Sequence, residues 1–223
     1  TKKRAPNNTK ILIDILDYFY SNEVSYVDEI DRISESTLFW NEKGGWYFMP
    51  AQRDSADWNI ARMVGSASFA KNNLDKIKAE NSMFLVPENE YSNFSEYTKK
   101  GSLLYFVSDK SNKSNTIKHE KVIMSYSIEV RQNQVFLIYQ DLVVGYVKPI
   151  RESKNFIEVY IEIRPSHRGK GLAACLLSTA VEYFSGQNKG VVYIVESTNL
   201  ASINTVKKAG FKHTETICMF QVI

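Results

Sequence analysis

The chain has 223 residues, 43% hydrophobic and 24% charged, which is enough apolar material for one sizeable core and too much for a disordered chain. Lysine plus arginine exceed aspartate plus glutamate by 28 to 25, a net +3, short of the concentrated basic face that phosphate-dominated nucleic-acid binding needs. Cys175 and Cys218, with His119, His167 and His213 scattered among other residues, give neither a disulfide framework nor a zinc spacing, so no metal is expected.

Taken in chain order, the polar opening TKKRAPNNTK reads as a frayed terminus. The run Ile11-Leu12-Ile13 is broken by Asp14 and Asp17, so no signal peptide or membrane span is expected, and a cytoplasmic location is the default. Ile11, Ile15, Tyr18, Phe19, Val27, Ile30 and Ile33 recur at helical spacing and predict one or two amphipathic helices. Residues 38–50 suggest two aromatic strands around Gly44-Gly45. A second helical stretch is predicted from Asp57 to about Glu80, with a break at Gly65.

Residues 102–107 (SLLYFV) read as a strand, and the polar SDKSNKSNTIKHEK that follows reads as a loop and an internal boundary. That divides the chain into 1–116, a helical or mixed region, and 117–223. Beyond the loop, VIMSYSIEV, VFLIYQ and LVVGYV predict an antiparallel meander. IEVYIEIR (157–164) alternates with period two; a helix, a strand (VVYIV), a short helix and a last strand complete the chain. No internal sequence repeat stands out.

The chemistry is concentrated in 157–180. A strand ends at Arg164-Pro165, and Gly169 and Gly171 precede a helix with apolar residues at 172, 173, 176, 177, 180, 181 and 184. Glycines at such a turn let a ligand approach the backbone, and the free amides of the helix start favour an anion such as pyrophosphate. The spacing is neither a Walker loop nor the dinucleotide GxGxxG.

Arg168-Gly169-Lys170-Gly171-Leu172-Ala173 resembles the [Q/R]-x-x-G-x-[G/A] signature of the GCN5-related N-acetyltransferase (GNAT) superfamily. Asn199 to Ile203 and Lys208-Ala209-Gly210-Phe211 resemble that family's N-x-x-S-I…K-x-G-F block. The resemblance spans roughly 117–223. It implies an α+β fold: a mixed, mostly antiparallel sheet with splayed strands, flanked by helices, here behind a mainly helical N-terminal extension.

It also implies acetyl-CoA as co-substrate. The pantetheine arm would pair with the backbone of Ile161 and Ile163, and the pyrophosphate would rest on the amides of Arg168, Gly169, Lys170, Gly171, Leu172 and Ala173. Asn199 would bond the pantetheine with help from Ser202. As residues alone, Asn199 is also a favoured helix N-cap, Phe211 reads as core, and His167 reads as surface.

An attacking amine must be neutral, which calls for a base, and the leaving thiolate calls for an acid. Several relatives place a glutamate where Ile157 stands here. Its neighbour Glu158 falls on the opposite face unless a bulge intervenes; Glu162 shares that parity, and Glu196 is a third candidate. Where many relatives carry a tyrosine acid this chain has Val206, which resembles the branch acting on ribosomal-protein amino termini and small amines. The expected activity is acetyl-CoA-dependent N-acyltransfer by direct attack of an amine, with Glu158 or Glu162 as water-linked base. The acceptor stays open among a small amine, a protein amine and an aminoacyl-tRNA docked by the basic 99–121 segment. A catalytically degenerate acetyl-CoA-binding sensor or scaffold, acyl groups longer than acetyl, and a homodimer also stay open. The helices near 57–80 are expected to wall the acceptor site, with 10–50 as an extra layer.

Overall fold

The computed structural model describes residues 9–41, 44–49, 59–75, 82–108 and 125–221. The chain starts with α1 (Thr9–Ser21) and, after a 3-10 turn at Glu23–Ser25, α2 (Val27–Asp31). Ile15 and Phe19, one helical turn apart, are both buried, and with Tyr26 and Val64 they form a small core. There follow β1 (Thr37–Asn41), β2 (Gly44–Met49), β3 (Asn59–Val64), α3 (Ala67–Lys71), β4 (Ser82–Pro87) and β5 (Lys99–Val107).

The second part holds β6 (Ser127–Arg131), β7 (Gln134–Tyr139), β8 (Leu142–Glu152), β9 (Phe156–Ile163), α4 (Leu172–Ser185), β10 (Gly190–Glu196), α5 (Leu200–Lys208) and β11 (Lys212–Gln221). The β6–β7 and β7–β8 turns are two-residue loops, Gln132-Asn133 and Gln140-Asp141, whose central residues all have positive φ. That geometry matches the twist of the flanking strands.

Among the described residues the strands make one mixed sheet, ordered β1-β2-β3-β4-β11-β5-β10-β9-β8-β7-β6. Its pairs are antiparallel except β3–β4 and β9–β10. The last strand of each part crosses into the other: β5 lies between β10 and β11, and β11 between β4 and β5. One sheet therefore joins strands from before and after the expected 116/117 boundary. α4 and α5 cover one face of β7 to β10, over a core that includes Leu137, Val159, Leu177, Phe184 and Val206. α2 packs on the other face, against β8 and β9.

The predicted helix over 57–80 is corrected over its first part, where residues 59–64 form β3 and α3 is Ala67–Lys71, while 57–58 and 76–80 lie outside the described residues. Ala61, Arg62, Met63 and Val64 are all buried, and a strand buried on both faces loses the alternation that tells it from a helix. The helix packed on the Glu158 face of β9 is α2 (Val27–Asp31). The helices expected at the N-terminus are present, beside five strands. The segment 109–124, which holds most of the basic loop, lies outside the described residues.

Candidate active site

β9 and β10 run side by side only briefly. Phe156, Ile157 and Glu158 pair with Gly190, Val191 and Val192, and beyond that point no pairing joins the two strands. The opposite edge of β9 stays paired with β8 to its end, where Arg164 N donates to Val144 O at 2.8 Å. Antiparallel alternation then turns the backbone groups of Val159, Ile161 and Ile163 into the gap. Arg168 Nε already donates to the Ile163 carbonyl at 2.7 Å. At Gly145 a Cβ would lie 2.5 Å from Ile163 Cδ1 and 2.9 Å from the Glu162 carbonyl, so only glycine lets β8 come this close to the strand end.

After β9 the chain makes a turn from Arg164 to Gly171. Gly169 and Gly171 take φ of +77° and +75°, and a Cβ at either would meet open space. Gly171 opens α4 with no side-chain cap, so the first amides of a 14-residue helix remain available at the end of the gap.

The gap opens as a cavity of about 560 Å³. Ile161, Ile163, Arg168, Gly169, Gly171, Leu172, Ala173, Asn199 and Ser202 all line it. Lys170 does not: its ammonium donates to the Tyr126 hydroxyl at 3.1 Å. That hydroxyl also stands 2.9 Å from His167 Nδ1, and His167, expected on the surface, is half-buried and lines the cavity. Asn199 Oδ1 accepts from Ser202 N at 3.1 Å and caps α5, so its capping role is present in the structure.

The odd residues of β9 point into the core beneath α4, and the even ones point to the face that α2 partly covers. The bulge in this region falls in β8, between Pro149 and Arg151, and sets Arg151 opposite Glu158. Ile157 is core, and Glu158 keeps the opposite face.

The Glu158 side chain is 8% exposed, and no described residue donates a hydrogen bond to it. Burial pushes its carboxyl up to about 8; nearby Asp28 adds to the rise and Arg151 opposes it. Asp28 is itself ion-paired with Arg151. Glu162 lies on the same face, exposed, and its Oε2 accepts from the hydroxyls of Tyr146 (2.8 Å) and Tyr160 (3.5 Å). The carboxylate pushes the Tyr146 phenol up to about 12. Of the three candidate carboxylates Glu162 lines the cavity, whereas Glu158 and the exposed Glu196 at the end of β10 do not.

Sequence reasoning missed the network that seats the N-terminal helices. Glu23 accepts from Ser153 Oγ (2.6 Å), Asn155 N (2.6 Å) and Asn155 Nδ2 (2.8 Å) in the β8–β9 turn. Arg62, 1% exposed, donates to Glu29 Oε1 at 2.8 Å and to the Ser25 carbonyl, with its guanidinium 4.3 Å from the centre of the Tyr26 ring. A lone charge in an apolar run was the available signal. Tyr193, read only as part of an apolar strand, lines the cavity at 8% exposure; burial raises its phenol above the ordinary value, while the neighbouring Ser202 hydroxyl opposes the rise. Among the described residues no group of His, Cys, Asp and Glu is placed to hold a metal, and no helix is long and apolar enough to cross a membrane.

Residues 104–211 match the profile of the acetyltransferase (GNAT) family. No curated protein matches the sequence. Among the solved structures that share the fold, three align across nearly the whole chain. A GNAT-family acetyltransferase from Colwellia psychrerythraea aligns at 11% identity over 93% of this chain and 97% of its own, with a TM-score of 0.58. A GCN5-related N-acetyltransferase from Kribbella flavida gives 10%, 91%, 95% and 0.63. A tandem GNAT protein from the clavulanic acid biosynthesis pathway gives 10%, 97%, 96% and 0.63. The profile match runs from β5 through the parted strands, the glycine turn and α5 to Phe211, and this region of the chain is similar to the GNAT acetyltransferase family.

Proposed function

We propose that the protein is an acetyl-CoA-dependent N-acetyltransferase in which an amine attacks the thioester directly, with Glu158 as its water-linked base. The observation that carries this reading is the parting of β9 from β10 at the Glu158–Val192 pair, above a cavity that ends on the Gly169–Gly171 turn. The residues present suit the co-substrate. The amides from Arg168 to Ala173 would receive the pyrophosphate, the inward backbone groups of Ile161 and Ile163 the pantetheine, and Asn199 and Ser202 the opposite wall.

Acetyl-CoA supplies an activated acyl group on a thiol leaving group. The protein's part is to hold that group in the gap and take a proton from the incoming amine. A base works best with a pKa near the operating pH, and Glu158, raised to about 8, meets that condition. Glu162 lines the cavity, which Glu158 does not, but two tyrosine hydroxyls already donate to its Oε2. A second reading, a binder without turnover, is favoured by one observation: Val206, where an acid could stand, is fully buried in the core.

Thermal unfolding with acetyl-CoA tests the proposal. At about a hundred times Kd a ligand adds ~2.7 kcal/mol, or roughly 5–10 °C at this size. The shift should vanish in Gly171→Glu, with that variant's own melting curve showing that it folds. No shift of the wild type at millimolar acetyl-CoA overturns the reading. A shift with no CoA release across a panel of amines selects the binder.

A further inference from the structure

Breaking a thioester C–S bond leaves an electron pair on sulfur, and a donor close to that sulfur eases the departure. The polar side chains able to give a proton to the cavity include His167, Lys208, Ser202, Tyr160 and Tyr193. His167 sits on the far turn against the Tyr126 hydroxyl, and Lys208 is the last residue of α5. The Tyr160 side chain is 44% exposed, its hydroxyl faces Glu162, and it lies on the same face of β9 as Glu158.

Tyr193 differs on each count. It directly follows Val192, the last β10 residue paired with β9. Paired residues of parallel strands share a face and successive residues alternate, so Tyr193 emerges on the face opposite Glu158. There it lines the cavity beside the Ser202 hydroxyl, as part of the core that also holds Val159 and Ile203. A carbonyl lodged in the gap would thus have a base on one side of the sheet and a hydroxyl on the other.

Resting on the acetyltransferase reading above, we propose that Tyr193 is the catalytic residue that protonates the departing sulfur. As the amine nitrogen bonds the acyl carbon, one N–H proton passes through water to the Glu158 carboxylate. The C–S bond breaks, its electron pair stays on sulfur, and the Tyr193 O–H proton moves to that sulfur. Water then returns the proton from Glu158 to the Tyr193 phenolate, so the products are an amide and a free thiol. Burial keeps the phenol protonated through neutral pH until the sulfur needs it.

The test needs no acceptor. Free CoA is bound to the wild type, Tyr193→Phe and Tyr160→Phe, binding is checked by thermal shift, and the thiolate is followed by its ultraviolet absorbance as pH rises. A hydroxyl donating to sulfur favours the thiolate. The bound thiol should therefore titrate about one pH unit lower in the wild type than in Tyr193→Phe, a tenfold change in its acid constant, with Tyr160→Phe matching the wild type. Coincident titrations of wild type and Tyr193→Phe, with CoA bound in both, overturn the assignment, as does a shift seen only in Tyr160→Phe. If Tyr193→Phe fails to fold or to bind CoA, fluorotyrosine at position 193 takes its place: a stronger donor must lower the titration further, and an unchanged one overturns the proposal. A wild type that binds no CoA fails at the earlier step and removes both readings together.

Discussion

The two parallel strand pairs of the sheet, β3–β4 and β9–β10, share a plan and differ where the plan meets solvent. Each follows antiparallel strands, each is bridged by a helix, and each has the last strand of the other half along its far edge. In the first half the crossover opens with Gly65 and Ser66 into a five-residue helix, and Ser66 Oγ accepts from Phe69 N at 3.3 Å. In the second it is the turn from Arg164 to Gly171 into a 14-residue helix with no side-chain cap. The residue at the end of each parallel pairing is a buried charge: Arg62 opposite Leu85, and Glu158 opposite Val192. Arg62 is bonded to Glu29, whereas no described residue bonds the Glu158 carboxyl. The lesson is a division of labour: the ion-paired vertex fastens the N-terminal helices, and the vertex without an ion pair lies beneath α2 with chemistry to spare.

The harshest way to break this contrast is Arg62→Ala. Removing one partner of a buried pair strands the other charge, so the loss should be about 3–5 kcal/mol in urea unfolding. A loss below 1 kcal/mol would deny Arg62 its fastening role.

Glu158→Gln should cut turnover about 100-fold or more and abolish the rise of kcat/KM as pH climbs through about 8, where the wild-type carboxyl ionises. Its effect on stability has the opposite sign. A carboxyl raised from 4.5 to about 8 favours the folded state below 4.5, and that advantage drains away as pH rises to about 8. The Gln variant should therefore gain on the wild type in Tm between pH 5 and 8; a gap that stays constant or narrows contradicts the buried, unpaired placement.

The mildest pair sharpens the comparison of helix starts. Ser66→Ala and Asn199→Ala each remove an N-cap and should each cost about 1 kcal/mol, roughly 2–4 °C. Asn199→Ala alone should also weaken acetyl-CoA binding. Equal affinity in the two variants would reduce Asn199 to a cap.

Much of the second half was legible because its signals are local. Period-two alternation marked β9, the helical stripe marked α4, and the glycines marked the turn between them. The candidate cofactor residues came from the resemblance of two motif blocks, this stretch and the one from Asn199, and the structure brings all but Lys170 to one cavity. The first half was less legible for physical reasons. Asn59–Val64 is buried on both faces and lost its alternation, and Arg62 carries a charge that usually signals solvent. Nothing near SLLYFV in sequence announces that its neighbours in space are Gly190–Glu196 and Lys212–Gln221.

The exchange of β5 and β11 also bears on how the chain reaches this form. During synthesis the first four strands emerge long before β11, the strand that covers the open edge of β4. That edge is exposed until the final segment arrives, and contacts of such sequence separation slow folding and invite aggregation. A chain severed between β5 and β6 would yield two fragments, each holding a strand that completes its companion. Their reassembly would be bimolecular, and neither alone would be a finished sheet.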